Sequence, residues 1–408
     1  MNIAYILDQY PSYSETFISN EIFALRKQGL NITVLAFKKG PQLNGLEESA
    51  GKTVYVKHLF SLFKFRASFF FLLSHSWHRY FRAFNVAIAG TKFLTPAFFK
   101  GLTRFFAAVE FSYELRNAQC LWLHAHFISL PASIAHLMSI LSGLGFSCTA
   151  HANDIYTTSG TELLDKLNQA SFVITCTKYN QVYLQQVLNG QQSGKIRHIY
   201  HGIDLDKWPV KAFKYISPKR PIQILTVGRL VEKKGTIYLL QALNTLKLKG
   251  KAFKCDIFGD GPYYDRLNDF IIANHLEASV FLHGATDQPT LQPFYQQADI
   301  FILPAIVAAN GDMDGLPNVL LEAMATGIPI ITTKISAISE LITHNVTGIL
   351  IAQKNANGIV SAVEQLVDDQ TYALSLVKNG LEKIKAFDSQ QSTIQLKQLF
   401  KHHYATKI

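Results

Sequence analysis

The sequence predicts an α/β protein made of two similarly built halves, each a parallel sheet covered by helices on both faces. Three observations carry this reading. The chain has 408 residues, too many for one ordinary core and enough for two domains of about 200 residues each. Short apolar runs alternate with amphipathic segments nearly throughout, the pattern of strand and crossover helix. A stretch at Trp208–Pro221, with prolines, lysines and no strong period, reads as the linker between the halves.

In the first half the candidate strands are Asn2–Leu7, Ile32–Phe37, Leu121–His124, Ser147–His151, Phe172–Thr175 and Ile196–Tyr200. Helical periods fall at Glu15–Gln28, Pro131–Leu141 and Lys178–Leu188. The second half offers strands at Ile222–Val227, Lys254–Phe258, Val280–His283, Ile300–Leu303, Pro329–Thr332 and Gly348–Ile351. Between them lie helices at Thr236–Leu248, Tyr263–Asn274, Leu316–Ala325 and Gly358–Val367. The expected domains are 1–207 and 208–388, each resembling a Rossmann-type domain. A final helix within 389–408, with Ile394, Leu396, Leu399 and Phe400 at helical spacing, is expected to cross back to the first domain.

One segment departs from the alternation. Residues 57–116 are crowded with Phe and with Lys64, Arg66, Arg79, Arg82, Lys92, Lys100, Arg104 and Arg116, opposed only by Glu110 and Glu114. It reads as several helices. Basic and aromatic side chains together suit the headgroup region of an anionic membrane; the alternative is a helical insertion whose Phe residues are core.

Composition narrows the class. Hydrophobic residues make up 48% and charged residues 17%, which excludes a disordered chain. The formal net charge of +10 implies an anionic partner. No recognised nucleic-acid motif is present, so no nucleic-acid partner is expected. Cys120, Cys148, Cys176 and Cys255 lie in or beside apolar runs with no C-x-x-C spacing. They read as free thiols of a reducing compartment, with no metal site. The N-terminus Met1–Asp8 lacks a basic region and a cleavage site, and no uncharged run of 18 apolar residues occurs. A cytoplasmic protein, peripheral on the inner face of the membrane, is the expectation.

The second half carries the most specific chemistry. In Thr226-Val227-Gly228-Arg229-Leu230-Val231-Glu232-Lys233-Lys234-Gly235 a strand ends at Gly228 and two cations follow. Arg229 can fork onto two phosphate oxygens and Lys234 adds a point charge. The plain alternative is a solvated basic loop. Phe258-Gly259-Asp260-Gly261-Pro262 is a turn into a helix. Then Gly311-Asp312-Met313-Asp314-Gly315-Leu316-Pro317-Asn318-Val319-Leu320-Leu321-Glu322 runs from a loop into a helix. Backbone N–H groups at Leu316, Asn318 and Val319 would favour a phosphate there. Glu322, an acid amid apolar helix residues, suits paired ribose hydroxyls.

In these motifs the chain resembles glycosyltransferase family 4, retaining enzymes of the GT-B fold. The resemblance rests on the G-R-L…K-K-G loop, the G-D-G-P turn and L-P-N-V-L-L-E-A-M-A-x-G-x-P. It covers most of residues 200–350 and the first half more weakly. It implies two Rossmann-like domains with parallel sheets facing a central cleft. It implies that Arg229 and Lys234 hold the diphosphate with Gly228, Gly259, Gly261 and the Leu316-Pro317-Asn318-Val319 helix start, and that Glu322 holds the ribose. Asp314 stands where the family usually has a Glu facing the donor sugar. The family needs no cofactor beyond the nucleotide-sugar donor and typically no metal.

The first half carries weaker signals. Ser14-Glu15-Thr16-Phe17-Ile18 opens a helix, with Ser14 suited to the N-cap, and resembles a subgroup acting in exopolysaccharide and lipopolysaccharide synthesis. His124 and His126 end one strand. His151 and Asp154 follow the next, in a match to the family's T-x-H-x-x-D element. The resemblance implies that His151 contacts the donor sugar or phosphate. With Ser14, Glu15, Thr16, His124, His126 and Asp154 on the acceptor side, the expected reaction is sugar transfer to a glycan or lipid-linked acceptor. The alternatives are a sugar-nucleotide epimerase on the same fold and a basic nucleic-acid-binding protein. Nicotinamide chemistry is disfavoured because no G-x-G-x-x-G follows the first strand of either half.

Overall fold

The computed structural model describes residues 1–12, 15–40, 52–56, 62–74, 76–216 and 220–405. Its elements run β1 (Asn2–Tyr10), α1 (Thr16–Lys27), β2 (Asn31–Lys39), β3 (Thr53–Tyr55), α2 (Leu62–Leu73), α3 (Trp77–Ile88), α4 (Pro96–Leu115), β4 (Trp122–His126), α5 (Leu130–Ser142), β5 (Phe146–Ala150), α6 (Ala152–Thr157), α7 (Gly160–Gln169), β6 (Phe172–Thr175), α8 (Lys178–Val187) and β7 (Ile196–His198). They continue as β8 (Ile222–Val227), α9 (Thr236–Leu248), β9 (Phe253–Phe258), α10 (Tyr264–Ala273), β10 (Val280–Leu282), α11 (Gln288–Gln297), β11 (Ile300–Leu303), α12 (Asn318–Thr326), β12 (Ile330–Thr333), α13 (Ile338–Leu341), β13 (Ile349–Ile351), α14 (Ala356–Asp368), α15 (Gln370–Ile384) and α16 (Ser389–Ala405).

The chain divides into two compact units. The first holds residues 1–176, 181–199 and 393–408; the second holds 177–180 and 200–392. The division falls near residue 200 because the segment that follows packs into the second unit. Trp208 is buried there with its ring edge-on to Tyr295 at 5.0 Å, and the Lys211 N–H donates to the Thr326 carbonyl at 3.0 Å. In α16, Leu396 and Phe400 join the apolar cluster of Ile3, Tyr5 and Leu7 in the first unit.

The first unit is built on a seven-stranded parallel sheet in the order β3-β2-β1-β4-β5-β6-β7. Alternation along β1 sends Ala4 and Ile6 to one core and Ile3, Tyr5 and Leu7 to the other, as a sheet covered on both faces requires. The second unit repeats the plan with six parallel strands, β10-β9-β8-β11-β12-β13. In both, the strand order reverses beside the first strand, between β1 and β4 and between β8 and β11. Ligands of open α/β sheets bind outside the carboxyl ends of the strands at such a reversal. The topology therefore nominates the loops after β1 and β4 in one unit, and those after β8 and β11 in the other.

Among the described residues of the basic aromatic segment, where the sequence predicts helices, lie α2, α3 and α4. The short strand β3 and the helices α11 and α15 had no distinct sequence signal. Strand β3 is three residues long, and α11 carries two prolines, Pro289 and Pro293.

Candidate functional site: a basic loop and a helix start at the strand reversal of the second unit

Strand β8 ends at Gly228, and the loop to α9 is folded tightly by its neighbours. A Cβ on Gly259 would collide with the Gly228 carbonyl oxygen, and one on Gly261 would lie 2.5 Å from that of Leu230. The Leu230 N–H donates to the Asp260 carbonyl, and the Tyr263 N–H to the Leu230 carbonyl. The G-D-G-P turn thus works as a backbone support for the G-R-L loop. At Gly235, φ is +65° and a Cβ would strike the Pro304 carbonyl. Only glycine serves there, and the contact clamps the loop after β8 to the end of β11.

That clamp brings the two sequence motifs together. Lys234 Nζ donates to Asp314 Oδ2 at 2.7 Å, and Lys233 Nζ to Asp312 Oδ1 at 3.0 Å, with Asp314 Oδ1 at 3.6 Å. The Lys234 and Asp314 side chains are only 14% and 11% exposed. Burial pushes the Asp314 carboxyl up, but the two ammonium groups outweigh it and hold the carboxyl below its ordinary value. Arg229 is exposed, and no hydrogen bond or ion pair engages its guanidinium among the described residues. One cation is thus open to a ligand, and two others are held by short acids.

Helix α12 begins at Asn318, two residues later than its apolar period suggests, because Pro317 stands at the N-cap with φ −63° and ψ 126°. The N–H groups of Leu316, Asn318 and Val319 have no protein acceptor among the described residues, so the helix start presents unpaired donors. Four residues past its first residue, Glu322 is 8% exposed. It accepts from Tyr295 Oη at 2.7 Å and Gln288 Nε2 at 3.1 Å. Burial raises its carboxyl above the ordinary value, and these two bonds partly offset the rise. Tyr295, Gln288, Lys233 and Asp312 were not singled out from the sequence. The D-M-D spacing at 312–314 and the doubled lysine were its visible traces.

The first unit places its polar residues differently. Among the acceptor-side candidates, Ser14 lies outside the described residues. Glu15 takes the N-cap position of α1 without a side-chain cap bond, and Thr16 is the helix's first residue. His124 is fully buried, with Nδ1 2.8 Å from Ser147 Oγ and Nε2 3.0 Å from Thr149 Oγ1. Burial, helped by His126, lowers its pKa to about 3, so the ring stays neutral. Asp154, expected on the acceptor side, is 3% exposed and turned inward. Its oxygens accept from the His151 N–H at 2.7 Å and from the Ile128 N–H; the first of these, with the His151 side chain accepting from the Asp154 N–H, forms a capping box for α6. Burial lifts its pKa to about 7 against the pull of those bonds. Both side chains are therefore internal supports, which corrects their assignment to substrate.

His126 and His151 belong to a relay that starts from a residue the motifs did not show. Glu21 Oε1 accepts from Tyr5 Oη at 2.7 Å and faces His126 Nε2 at 3.0 Å. His126 Nδ1 lies 3.4 Å from His151 Nε2, and His151 Nδ1 lies 3.7 Å from Cys176 Sγ. A carboxylate only accepts, so His126 Nε2 carries the proton. In a neutral His126, Nδ1 then accepts from His151 Nε2–H. This tautomer assignment follows from the network. Glu21 was legible as an acid inside the apolar stripe of Ile18, Ile22 and Leu25. Glu21, His124 and His126 offer metal-type ligand atoms within 4.8 Å of one another, yet both His124 nitrogens already face hydroxyls.

A basic loop clamped to a helix start at the strand reversal of a parallel sheet is the arrangement that suits an anionic ligand in an α/β protein. Residues 209–383 match the model of the glycosyl transferases group 1 family. It is 28% identical over 413 aligned positions to the putative colanic acid biosynthesis glycosyltransferase of Escherichia coli, covering 96% of this chain and 97% of the relative. Over 196 residues, 48% of each chain, it is 34% identical to the amylovoran biosynthesis glycosyltransferase of Erwinia amylovora. Among solved structures, sucrose-phosphate synthase from Thermosynechococcus elongatus superposes with a TM-score of 0.76 over the whole of both chains at 18% identity. That match establishes the GT-B fold.

Proposed function

We propose that this glycosyltransferase moves a hexose from a nucleoside-diphosphate sugar to a hydroxyl of a glycan or lipid-linked acceptor in cell-surface polysaccharide synthesis, with retention and without a metal. The observation that carries the reading is the convergence of Lys234, Asp314 and the loop before α12, beside an exposed Arg229. The polysaccharide role is supported by the relatives from colanic acid and amylovoran synthesis. A cytoplasmic enzyme held at the inner face of the membrane would meet such an acceptor.

The leaving diphosphate gains negative charge as the glycosidic bond breaks. Arg229 and the N–H groups before α12 stabilise that charge most in the transition state, where it is largest. Lys234 exchanges its bond to Asp314 for one to phosphate. The freed Asp314 carboxylate then faces the donor sugar. Glu322 accepts from the ribose hydroxyls. On the first unit, the Glu21–His126 pair fixes the tautomer and orientation of His151. The retaining reaction proceeds on the front face, with the departing phosphate helping to deprotonate the acceptor. Metal independence has physical support in the acids themselves: Asp312 and Asp314 are bonded to Lys233 and Lys234, which supply the positive charge a divalent ion would bring.

The test is a donor panel scored by thermal shift and by release of nucleoside diphosphate, with and without chelator. At least one nucleotide sugar should stabilise the protein and turn over, chelator should leave turnover unchanged, and Arg229→Ala should abolish both responses. NMR of the product should show the donor's anomeric configuration. An isomerised donor with no acceptor consumed would reject transfer.

A further inference from the structure

Nearly half of the large apolar side chains exposed among the described residues lie in one short stretch, between Phe69 and Phe99. Elsewhere they are scattered singly, which needs no explanation. Here they share surfaces with cations. On α2, Ala67 and Phe71 are buried, while Arg66, Phe69, Phe70 and Leu73 lie on the opposite face at helical spacing and are exposed. On α3, Ala83 is buried with Tyr80, Phe84 and Ala87 packed beside it. Its outer face carries Trp77, Phe81, Arg82 and Val86, all exposed. The α3–α4 turn projects Lys92, Phe93 and Leu94, followed by Phe99 and Lys100, again all exposed. Phe93 is 76% exposed and Leu73 71%.

The phenylalanines thus divide. Phe71, Phe105 and Phe111 are core; the outer set touches water. No Asp or Glu occurs anywhere between Glu48 and Glu110, and among the described residues no ion pair engages Arg66, Arg82, Lys92 or Lys100. Leu94, at the tip of the turn, holds φ +60°, a conformation uncommon for a residue other than glycine.

We propose that the outer face of α2 and α3 with the α3–α4 turn docks on an anionic lipid bilayer. The occupant follows from the chemistry. Aromatic rings favour the headgroup boundary, and Lys and Arg near it are drawn to acidic lipids. A protein interface would instead be depleted in Lys at its core. No helix of the described residues is long and apolar enough to cross a membrane, so the face rests on the surface with its rings at the level of the headgroups. The inference gives a structural seat to the peripheral location proposed above and depends on neither donor nor acceptor.

The test is flotation of the full chain with vesicles of phosphatidylcholine alone and of phosphatidylcholine with an equal part of phosphatidylglycerol. The protein should float with the anionic vesicles, remain behind with the neutral ones, and detach as salt is raised. Phe93→Ser with Leu94→Ser, and separately Lys92→Glu with Lys100→Glu, should each lower the bound fraction at least about tenfold. All four residues are exposed, so the helical circular dichroism and the thermal shift with nucleoside diphosphate should match wild type. Wild-type protein that ignores anionic vesicles, or variants that float equally well, would overturn the proposal. So would self-association that both variants abolish while vesicle binding persists. Loss of donor response with intact flotation would instead count against the proposed function alone.

Discussion

The two units share a parallel sheet and a strand-order reversal, yet they fill that place with opposite chemistry. In the second unit the reversal is lined by Arg229, Lys233 and Lys234, with Asp312 and Asp314 as small exchangeable anions. In the first it is lined by Tyr5, Glu21 and His126, joined by hydrogen bonds, and by His124, bonded to Ser147 and Thr149, all largely buried. Topology nominates a position in both. Side-chain chemistry decides what that position does. Cations held by short carboxylates can trade them for a phosphate at little electrostatic loss, whereas a neutral buried imidazole has its proton already assigned. Under the proposed function the first unit orients and the second holds charge.

Variants on each side should break in different ways if this contrast is sound. The largest effect is expected at Arg229→Ala, which removes a fork of charge-assisted bonds. Affinity for a nucleoside diphosphate should fall about 100-fold or more by calorimetric titration. Next comes Glu21→Gln in the first unit, where His126 and His151 lose the carboxylate that fixes their protons. Turnover should fall about ten- to a hundredfold while donor affinity stays at the wild-type value; a loss confined to affinity would erase the distinction between the units. Glu322→Gln should weaken nucleoside diphosphate about tenfold and leave inorganic pyrophosphate binding untouched, since only the former has a ribose.

The smallest effect concerns pH. His124 has a folded pKa lowered to about 3, so its contribution to stability is present above its unfolded value near 6.5 and is lost as pH falls toward 3. Asp154, raised to about 7, acts in the opposite sense across much of that window, so the whole protein reports the two together. The stability gap between wild type and His124→Gln isolates one of them. It should shrink as pH drops from 6.5 to 4, by at most about 1.4 kcal/mol per pH unit. A gap independent of pH would mean that His124 titrates normally.

Much of this was legible in the sequence, and the gaps have physical causes. Strands such as β8 and β11 announce themselves as apolar runs ended by Gly228 or Pro304. Helix α11 did not, because two prolines mask its period. In the second unit the candidate residues sit in contiguous motifs, so reading along the chain singled out Arg229, Lys234, Asp314 and Glu322. It missed their partners Tyr295 and Gln288, which come from α11 and meet Glu322 only in three dimensions. In the first unit the three histidines stood out but their roles did not. A strand-end His binds ligand or packs according to its neighbours, and Ser147, Thr149 and Glu21 are brought to the rings only by strand pairing and helix packing.

A crystal structure with a nucleoside diphosphate bound tests the central claim most directly. The account predicts diphosphate oxygens at hydrogen-bond distance from the Arg229 guanidinium, Lys234 Nζ and the backbone N–H groups before α12, with Lys234 released from Asp314 and the ribose on Glu322. A diphosphate seated on the imidazoles of the first unit, or one that leaves the Lys234–Asp314 bond intact and Arg229 in solvent, would contradict it.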